Sequence, residues 1–100
     1  MEIASEEELK ELKEIAVVLD VRNPQEIISS GVKVEGSVNI PFNENFLANV
    51  EEQIDKNNII ICHCVRGMRA ENAKKLLLSA GYTRVLNGEN AMRINQSFTN

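Results

Sequence analysis

The chain has 100 residues, of which 43% are apolar and 26% charged, and this predicts one globular domain spanning residues 1–100. The formal net charge of −4 argues against general nucleic-acid binding. No apolar run approaches the ~20 residues that a membrane span needs. The first residues lack the basic and apolar regions of a signal peptide, so we expect a cytoplasmic protein.

The sequence predicts strands and helices that alternate along the chain. Apolar, β-branched runs predict buried strands, because both faces of such runs are apolar. Ser5 with Glu8 forms a capping box, and Asn23 followed by Pro24 is typical of a helix start. In chain order, the predicted elements are an edge strand at 1–3, a helix from Ser5, a strand at 16–19, a helix from Asn23 that Gly31 ends, a short strand before Pro41, a helix from Asn45, a strand at 59–61, a helix from Ala70 that Gly81 ends, a strand at 82–86, a turn at 87–90 and a terminal helix from Ala91.

This alternation predicts an α/β fold of three layers, with helices on both faces of a mostly parallel sheet. Such sheets bind ligands beyond the carboxyl ends of their strands, and Cys64 falls there. The turn that follows points backbone N–H groups into a small space at the positive end of a helix dipole, which is an arrangement that holds an anion. A thiol at that place, beside Arg66 and Arg69, should favour its thiolate and be a ready nucleophile.

The segment Cys62-His63-Cys64 could also suggest a disulfide or a metal site, but simpler interpretations are preferred. Alternate residues of a strand stand roughly 6.5 Å apart, near the outer limit for a disulfide, so we expect no structural bridge. Three adjacent ligands without a fourth nearby make a weak zinc site, and we predict no metal. We interpret Cys62 as a small buried hydrophobe, and His63 as a core residue or a support for the site rather than a proton-transfer group.

The spacing Cys64-x-x-Gly67-x-Arg69 resembles the active-site loop of single-domain rhodaneses, the thiosulfate sulfurtransferases. It is also similar to the Cys-x5-Arg loop of tyrosine phosphatases, but the arginine comes one residue too early for that pattern. In the rhodanese superfamily, a six-residue loop goes with sulfur chemistry, whereas the phosphatase relatives have seven residues. The physical reason is size, because the ring of backbone N–H groups in the loop must fit either a persulfide sulfur or a tetrahedral phosphate.

Further segments resemble the same family, in its order and at its spacing. They are Leu19-Asp20-Val21-Arg22 with Glu26, then Gly36-Ser37-Val38-Asn39-Ile40-Pro41, then Gly81-Tyr82 with Val85 and Leu86-Asn87-Gly88. Two positions depart from the family pattern, since no histidine follows Gly31 and Glu89 replaces the second glycine of a closing pair. The resemblance implies a five-stranded parallel sheet in the order 3-2-4-5-1.

The resemblance also implies a function. Cys64 would take a sulfane sulfur from an anionic donor such as thiosulfate and pass it, as a persulfide, to a thiol, cyanide or protein acceptor, with no cofactor. The alternatives are a persulfide carrier or thiol-based regulatory module without small-molecule turnover, and a cysteine-dependent phosphatase or arsenate reductase.

Roles for individual residues follow from this reading. Asp20 and Arg22 are expected to form a supporting ion pair. Arg66 would bind the donor or remain solvated, and Arg69 would brace the loop or bind the anion. The residues expected to bind the substrate are Val65, Arg66, Gly67, Met68, Arg69 and Ala70.

Overall fold

The structure, a computed structural model, describes residues 1–99 and alternates between helix and strand as the sequence predicts. The elements are α1 (Glu6–Leu12), β1 (Val17–Asp20), α2 (Pro24–Ser30), β2 (Val38–Asn39), α3 (Phe46–Gln53), β3 (Ile60–Cys64), α4 (Met68–Ser79), β4 (Val85–Asn90) and α5 (Ala91–Thr99). The predicted capping box of Ser5 and Glu8 is present, and Asn23, predicted as a helix cap, forms a second capping box with Glu26. Within residues 1–99, no helix combines the length and the hydropathy that crossing a bilayer requires.

The strands form one parallel sheet in the order β2-β1-β3-β4. β3 lies inside the sheet, where Cys62 is paired with Leu19 on one side and with Asn87 on the other. All five residues of β3 are buried. The loop after Cys64 therefore starts from the middle of the carboxyl edge of the sheet.

The expected edge strand at residues 1–3 is wrong for this chain. The segment makes one sheet-like contact, in which the Ala4 N–H donates to the Asn87 carbonyl at 2.8 Å. Ser5 caps α1 directly after this contact, so the chain continues as a helix instead of pairing along β4. Over residues 1–99 the sheet thus has four strands instead of five, in the order that the 3-2-4-5-1 prediction gives to the other four.

The last strand also lies later than predicted, at Val85–Asn90 rather than 82–86, and the expected turn at 87–90 belongs to it. The pairing with β3 shifts by one residue between Cys62 and His63, which leaves Gly88 as the extra residue of a bulge. Glu89 then takes a positive φ of 75°. The turn-forming residues of this segment accommodate a bulge instead of ending the strand.

Apolar residues cover both faces of the sheet, which confirms the three-layer fold. Ile60, Cys62 and Cys64 point to the layer formed with α3 and α4, and Ile61 points to the layer formed with α1 and α5. In the first layer, the Tyr82 hydroxyl donates to the carbonyl of Ile54 at 2.6 Å.

Candidate active site

Cys64 ends β3, and α4 begins at Met68, two residues before the predicted start, so the last two residues of the loop 64–69 are already helical. Gly67 caps this 12-residue helix with φ of 92°, in the left-handed region that favours glycine. The Gly67 N–H donates to the Cys64 Sγ at 3.1 Å. The sulfur of Cys64 therefore lies at the positive end of a helix and accepts a backbone hydrogen bond there.

Cys64 is only 2% exposed, but it lines two surface depressions. The charged depression, about 400 Å³, is lined by Glu26, Cys64, Val65, Arg66, Met68 and Arg69. The apolar depression, about 370 Å³, is lined by Arg22, Ser30, Val32, Cys64, Val65, Asn90, Ala91 and Met92. A ligand could thus approach the sulfur from two sides.

Arg69 forms a bidentate ion pair with Glu26 of α2, at 2.7 and 2.9 Å. Glu26 also accepts the N–H of Asn23, so the ion pair connects the loop to the cap of α2. The Arg69 guanidinium holds the pKa of Glu26 down at about 2, and the carboxylate therefore stays ionised at neutral pH. The pKa of Arg69 is raised, first by Glu26 and further by Cys64, which lies beside the guanidinium. In this structure Arg69 braces the loop.

Arg66 differs from Arg69 in having no partner. Its side chain is exposed and makes no hydrogen bond or ion pair with any other residue between 1 and 99. Because Glu26 already offsets the charge of Arg69, Arg66 is the cation that remains available to an anionic ligand in the charged depression.

Asp20 and Arg22 form the expected ion pair at the end of β1, with Arg22 Nε 2.9 Å from Asp20 Oδ1 and Nη2 2.6 Å from Oδ2. Arg22 also donates to the Ser30 hydroxyl and the Val32 carbonyl, and it is only 3% exposed. The Asn39 amide donates to the carbonyls of Asp20 and Arg22. This network fixes the segment after α2 against the sheet, at the rim of the apolar depression.

Asn87 supports the loop through its side-chain amide. The sequence did not predict this role, because it predicted a turn at Asn87. Its amide donates to the Gly67 carbonyl at 3.0 Å and to Glu71 Oε1 at 3.1 Å, while its oxygen accepts the Glu89 N–H at 2.9 Å. Asn87 is 1% exposed. The Asn-Gly pair that signals a turn hides this role, since Asn87 lies inside β4 and is paired with Cys62.

His63 is fully buried, and neither ring nitrogen has a hydrogen-bond partner. Its Nε2 lies 3.9 Å from Asp20 Oδ2, too far for a hydrogen bond. Burial lowers the pKa of His63 to about 4, so the ring is neutral at pH 7. Within residues 1–99, no three His, Cys, Asp or Glu side chains are grouped so that they could hold a metal ion.

We expect the free energy of unfolding to fall as the pH is lowered from 7 to 5, because of His63. An unfolded histidine binds its proton near pH 6.5, whereas folded His63 does so only at about 4. Between these values the unfolded state binds more protons, so acid favours it, by about 2 kcal/mol at pH 5. Urea denaturation of the unmodified protein and of His63→Gln measures this. The variant lacks the one histidine of the chain and should lose the slope. An equal slope in both proteins would assign the effect to other groups.

The chain combines a parallel α/β sheet, an inner strand that ends in a cysteine, and a six-residue loop that begins with this cysteine and leads into a helix. This combination defines a class of protein. The rhodanese-like domain family matches residues 5–93 of the chain. The chain therefore belongs to the rhodanese-like domain family.

Individual relatives agree with this assignment. Thiosulfate sulfurtransferase PspE of Escherichia coli K12 is 35% identical over 74 residues, covering 69% of this chain and 64% of that protein. Rhodanese-like domain-containing protein 17 of Arabidopsis thaliana is 32% identical over 79 residues, covering 69% of this chain and 51% of that protein. The chain thus spans between half and two thirds of the length of these curated relatives. A solved structure of a rhodanese with anions from E. coli has a TM-score of 0.63 at 29% identity, covering 78% of this chain and 89% of that one.

Proposed function

We propose that the protein is a sulfurtransferase that moves a sulfane sulfur through a persulfide on Cys64. The observation that carries the proposal is the 3.1 Å hydrogen bond from the Gly67 N–H to the Cys64 Sγ at the start of α4. A backbone donor and a helix dipole aimed at one sulfur favour its anionic forms, the thiolate and the persulfide. The likeness to PspE, whose name specifies thiosulfate, supports an anionic sulfur donor.

In the first half of the reaction, the Cys64 thiolate attacks the outer sulfur of thiosulfate or a similar donor. The S–S bond of the donor breaks, sulfite leaves with the electron pair, and Cys64 becomes a persulfide. Arg66 binds the oxygens of the donor by charge-assisted hydrogen bonds. Backbone N–H groups between Val65 and Ala70, including those of Gly67, Met68 and Arg69, surround the transferred sulfur.

In the second half, a thiol, cyanide or a thiol of an acceptor protein attacks the outer sulfur of the persulfide. The bond between the two sulfurs breaks, and Cys64 leaves as a thiolate ready for the next cycle. Neither half needs a metal or an organic cofactor. Both cysteines of the chain are free thiols, which suits the reducing cytoplasm where we place this activity.

The supporting residues keep the loop in its anion-binding shape. Arg69 holds it to Glu26, Asn87 holds the Gly67 carbonyl, and the Asp20 ion pair fixes the neighbouring segment. These interactions hold the Cys64 sulfur and the Gly67 N–H that donates to it in position before any ligand binds. Such preorganisation is the main source of electrostatic catalysis.

The proposal is tested by assaying two reactions side by side on the unmodified protein. With thiosulfate and cyanide we expect steady formation of thiocyanate, and with p-nitrophenyl phosphate we expect no hydrolysis. A single transfer without turnover would instead identify a persulfide carrier. Phosphate hydrolysis without sulfur transfer would contradict the proposal and the loop-length argument.

Replacing Arg66 with alanine should lower kcat/KM for thiosulfate by about ten- to hundredfold, mostly through KM, because one charged hydrogen bond is worth ~1.5–3 kcal/mol. Arg69→Ala should lower kcat as well, since it leaves Glu26 without its cation and releases the loop from α2. Steady-state kinetics at low and high salt measure both effects, and the Arg66 effect should shrink as salt rises.

Arg84→Ala is the matched control for both variants. Arg84 is an exposed arginine at the amino end of β4, at the edge of the sheet opposite the loop. It should behave like the unmodified protein. Equal, small effects of Arg66→Ala and Arg69→Ala would mean that backbone N–H groups and the helix dipole hold the donor without help from either side chain.

A further inference from the structure

The apolar depression beside Cys64 carries no free charge. Besides Cys64, its lining includes one ionisable side chain, that of Arg22, whose guanidinium is bound by Asp20, Ser30 and the Val32 carbonyl. The side-chain oxygen of Asn90 is also occupied, since it accepts the N–H of Arg93 at 2.8 Å. The polar side chains of the apolar depression are therefore all paired, whereas in the charged depression, on the other side of the same sulfur, Arg66 is unpaired.

The remaining walls of the apolar depression are aliphatic. They are formed by Val32, Val65, Ala91 and Met92, of which Val65 is 49% and Met92 59% exposed. Its volume of about 370 Å³ lies at the small end of the range for low-molecular-weight ligands, ~300–1,000 Å³. The size and the lining fit a small molecule with an uncharged, apolar body that ends at Cys64.

We propose that the apolar depression is the acceptor subsite, and that it takes low-molecular-weight thiols with an uncharged, apolar body. This inference rests on the proposed function, in which the anionic donor occupies the charged depression and leaves from there as sulfite. The acceptor sulfur, as its thiolate, attacks the outer sulfur of the Cys64 persulfide. A new S–S bond forms on the acceptor, the bond to Cys64 Sγ breaks, and Cys64 keeps the electron pair as a thiolate. The proton of the acceptor thiol goes to the solvent.

An anionic thiol would be a poorer acceptor for a physical reason. In the apolar depression its charge would lose hydration with no free cation to replace it, because Arg22 is already neutralised by Asp20. An apolar tail of similar length gains by leaving water against Val32 and Met92. The two depressions therefore separate donor from acceptor by charge.

The test begins with protein whose Cys64 has been converted to the persulfide with thiosulfate and freed of excess donor. It is then mixed with 1-butanethiol or with 3-mercaptopropanesulfonate. Both are primary alkyl thiols of similar length, but the chain of the first ends in a methyl group and that of the second in an anionic sulfonate. Loss of one sulfur from the intact mass gives the rate of each transfer. At equal thiolate concentration we expect butanethiol to react about tenfold faster, the effect of burying one or two methylene groups.

Met92→Gln should reduce this preference to about twofold, since it replaces the exposed thioether wall by a polar group of similar size. Met92→Leu should keep the preference. Ile28→Gln is the control, because Ile28 is 73% exposed on α2 and lines neither depression.

Each outcome bears on one of the two proposals. A preference for butanethiol that Met92→Gln removes and Ile28→Gln retains supports the subsite. Equal rates for the two thiols, or a faster sulfonate, would overturn it while leaving the persulfide mechanism intact. If thiosulfate forms no persulfide at all, the proposed function fails, and the acceptor subsite fails with it.

Discussion

Replacing Cys64 with serine is expected to reduce thiocyanate formation from thiosulfate and cyanide to the uncatalysed rate. A serine hydroxyl does not ionise at neutral pH and cannot take up a sulfane sulfur. The fold should persist, because a hydroxyl at this position can still accept the Gly67 N–H that now reaches the thiol. Thiocyanate assays and circular dichroism on the same sample separate loss of the nucleophile from loss of structure.

Cys62→Ser is the matched control two residues earlier on the same strand. Cys62 is 0% exposed, and burial raises the pKa of its thiol, so it is held in the inert, protonated form. We expect this variant to keep most of its activity, at a cost in stability of about 1–3 kcal/mol for burying a hydroxyl. Activity as low as in Cys64→Ser would require a mechanism that uses both thiols.

Replacing Asp20 with alanine is expected to lower the free energy of unfolding by about 3–5 kcal/mol, because it leaves a buried guanidinium without its counter-charge. Arg22 is 3% exposed, and its side-chain nitrogens donate three hydrogen bonds to the Asp20 carboxylate. A small domain has only about 5–15 kcal/mol to lose. Urea denaturation measures the change, and sulfur transfer should fall at temperatures where the variant unfolds.

A double-mutant cycle identifies the cause of this loss. Arg22→Met removes the guanidinium but keeps much of its apolar stem, so no unpaired charge remains when it is combined with Asp20→Ala. The double variant should therefore be more stable than the sum of the two single changes predicts, by at least about 1 kcal/mol for residues in direct contact. Simple additivity would mean that the ion pair contributes little and that Asp20 acts through packing.

Features that depend on residues close together in the chain could be predicted from the sequence. The capping box of Ser5 and Glu8 lies within four consecutive residues and formed as expected, as did the helix cap at Asn23. The strand-to-helix loop after Cys64 was predictable for the same reason, because an apolar run, a glycine and a helical pattern follow one another directly. The predicted anion-binding loop needs little more than this local order.

Features that depend on distant residues could not be predicted in this way. The partner of Arg69 is Glu26, 43 residues earlier, and the amide beneath Gly67 belongs to Asn87, 20 residues later. The position of β4 depends on a bulge opposite Cys62 and His63. The residues that form this bulge are of the types that, from the local sequence alone, predict a turn. The apolar depression likewise joins Val32 to Met92, and no local pattern signals it.

The central claim, that Cys64 carries the transferred sulfur, is tested most directly by the intact mass of the protein after incubation with thiosulfate. We predict a gain of one sulfur atom, located on Cys64 by peptide mapping and removed again by cyanide. Cys64→Ser should gain nothing, and Cys62→Ser should gain the same single sulfur. No gain in the unmodified protein, or a sulfur located on Cys62, would contradict the mechanism.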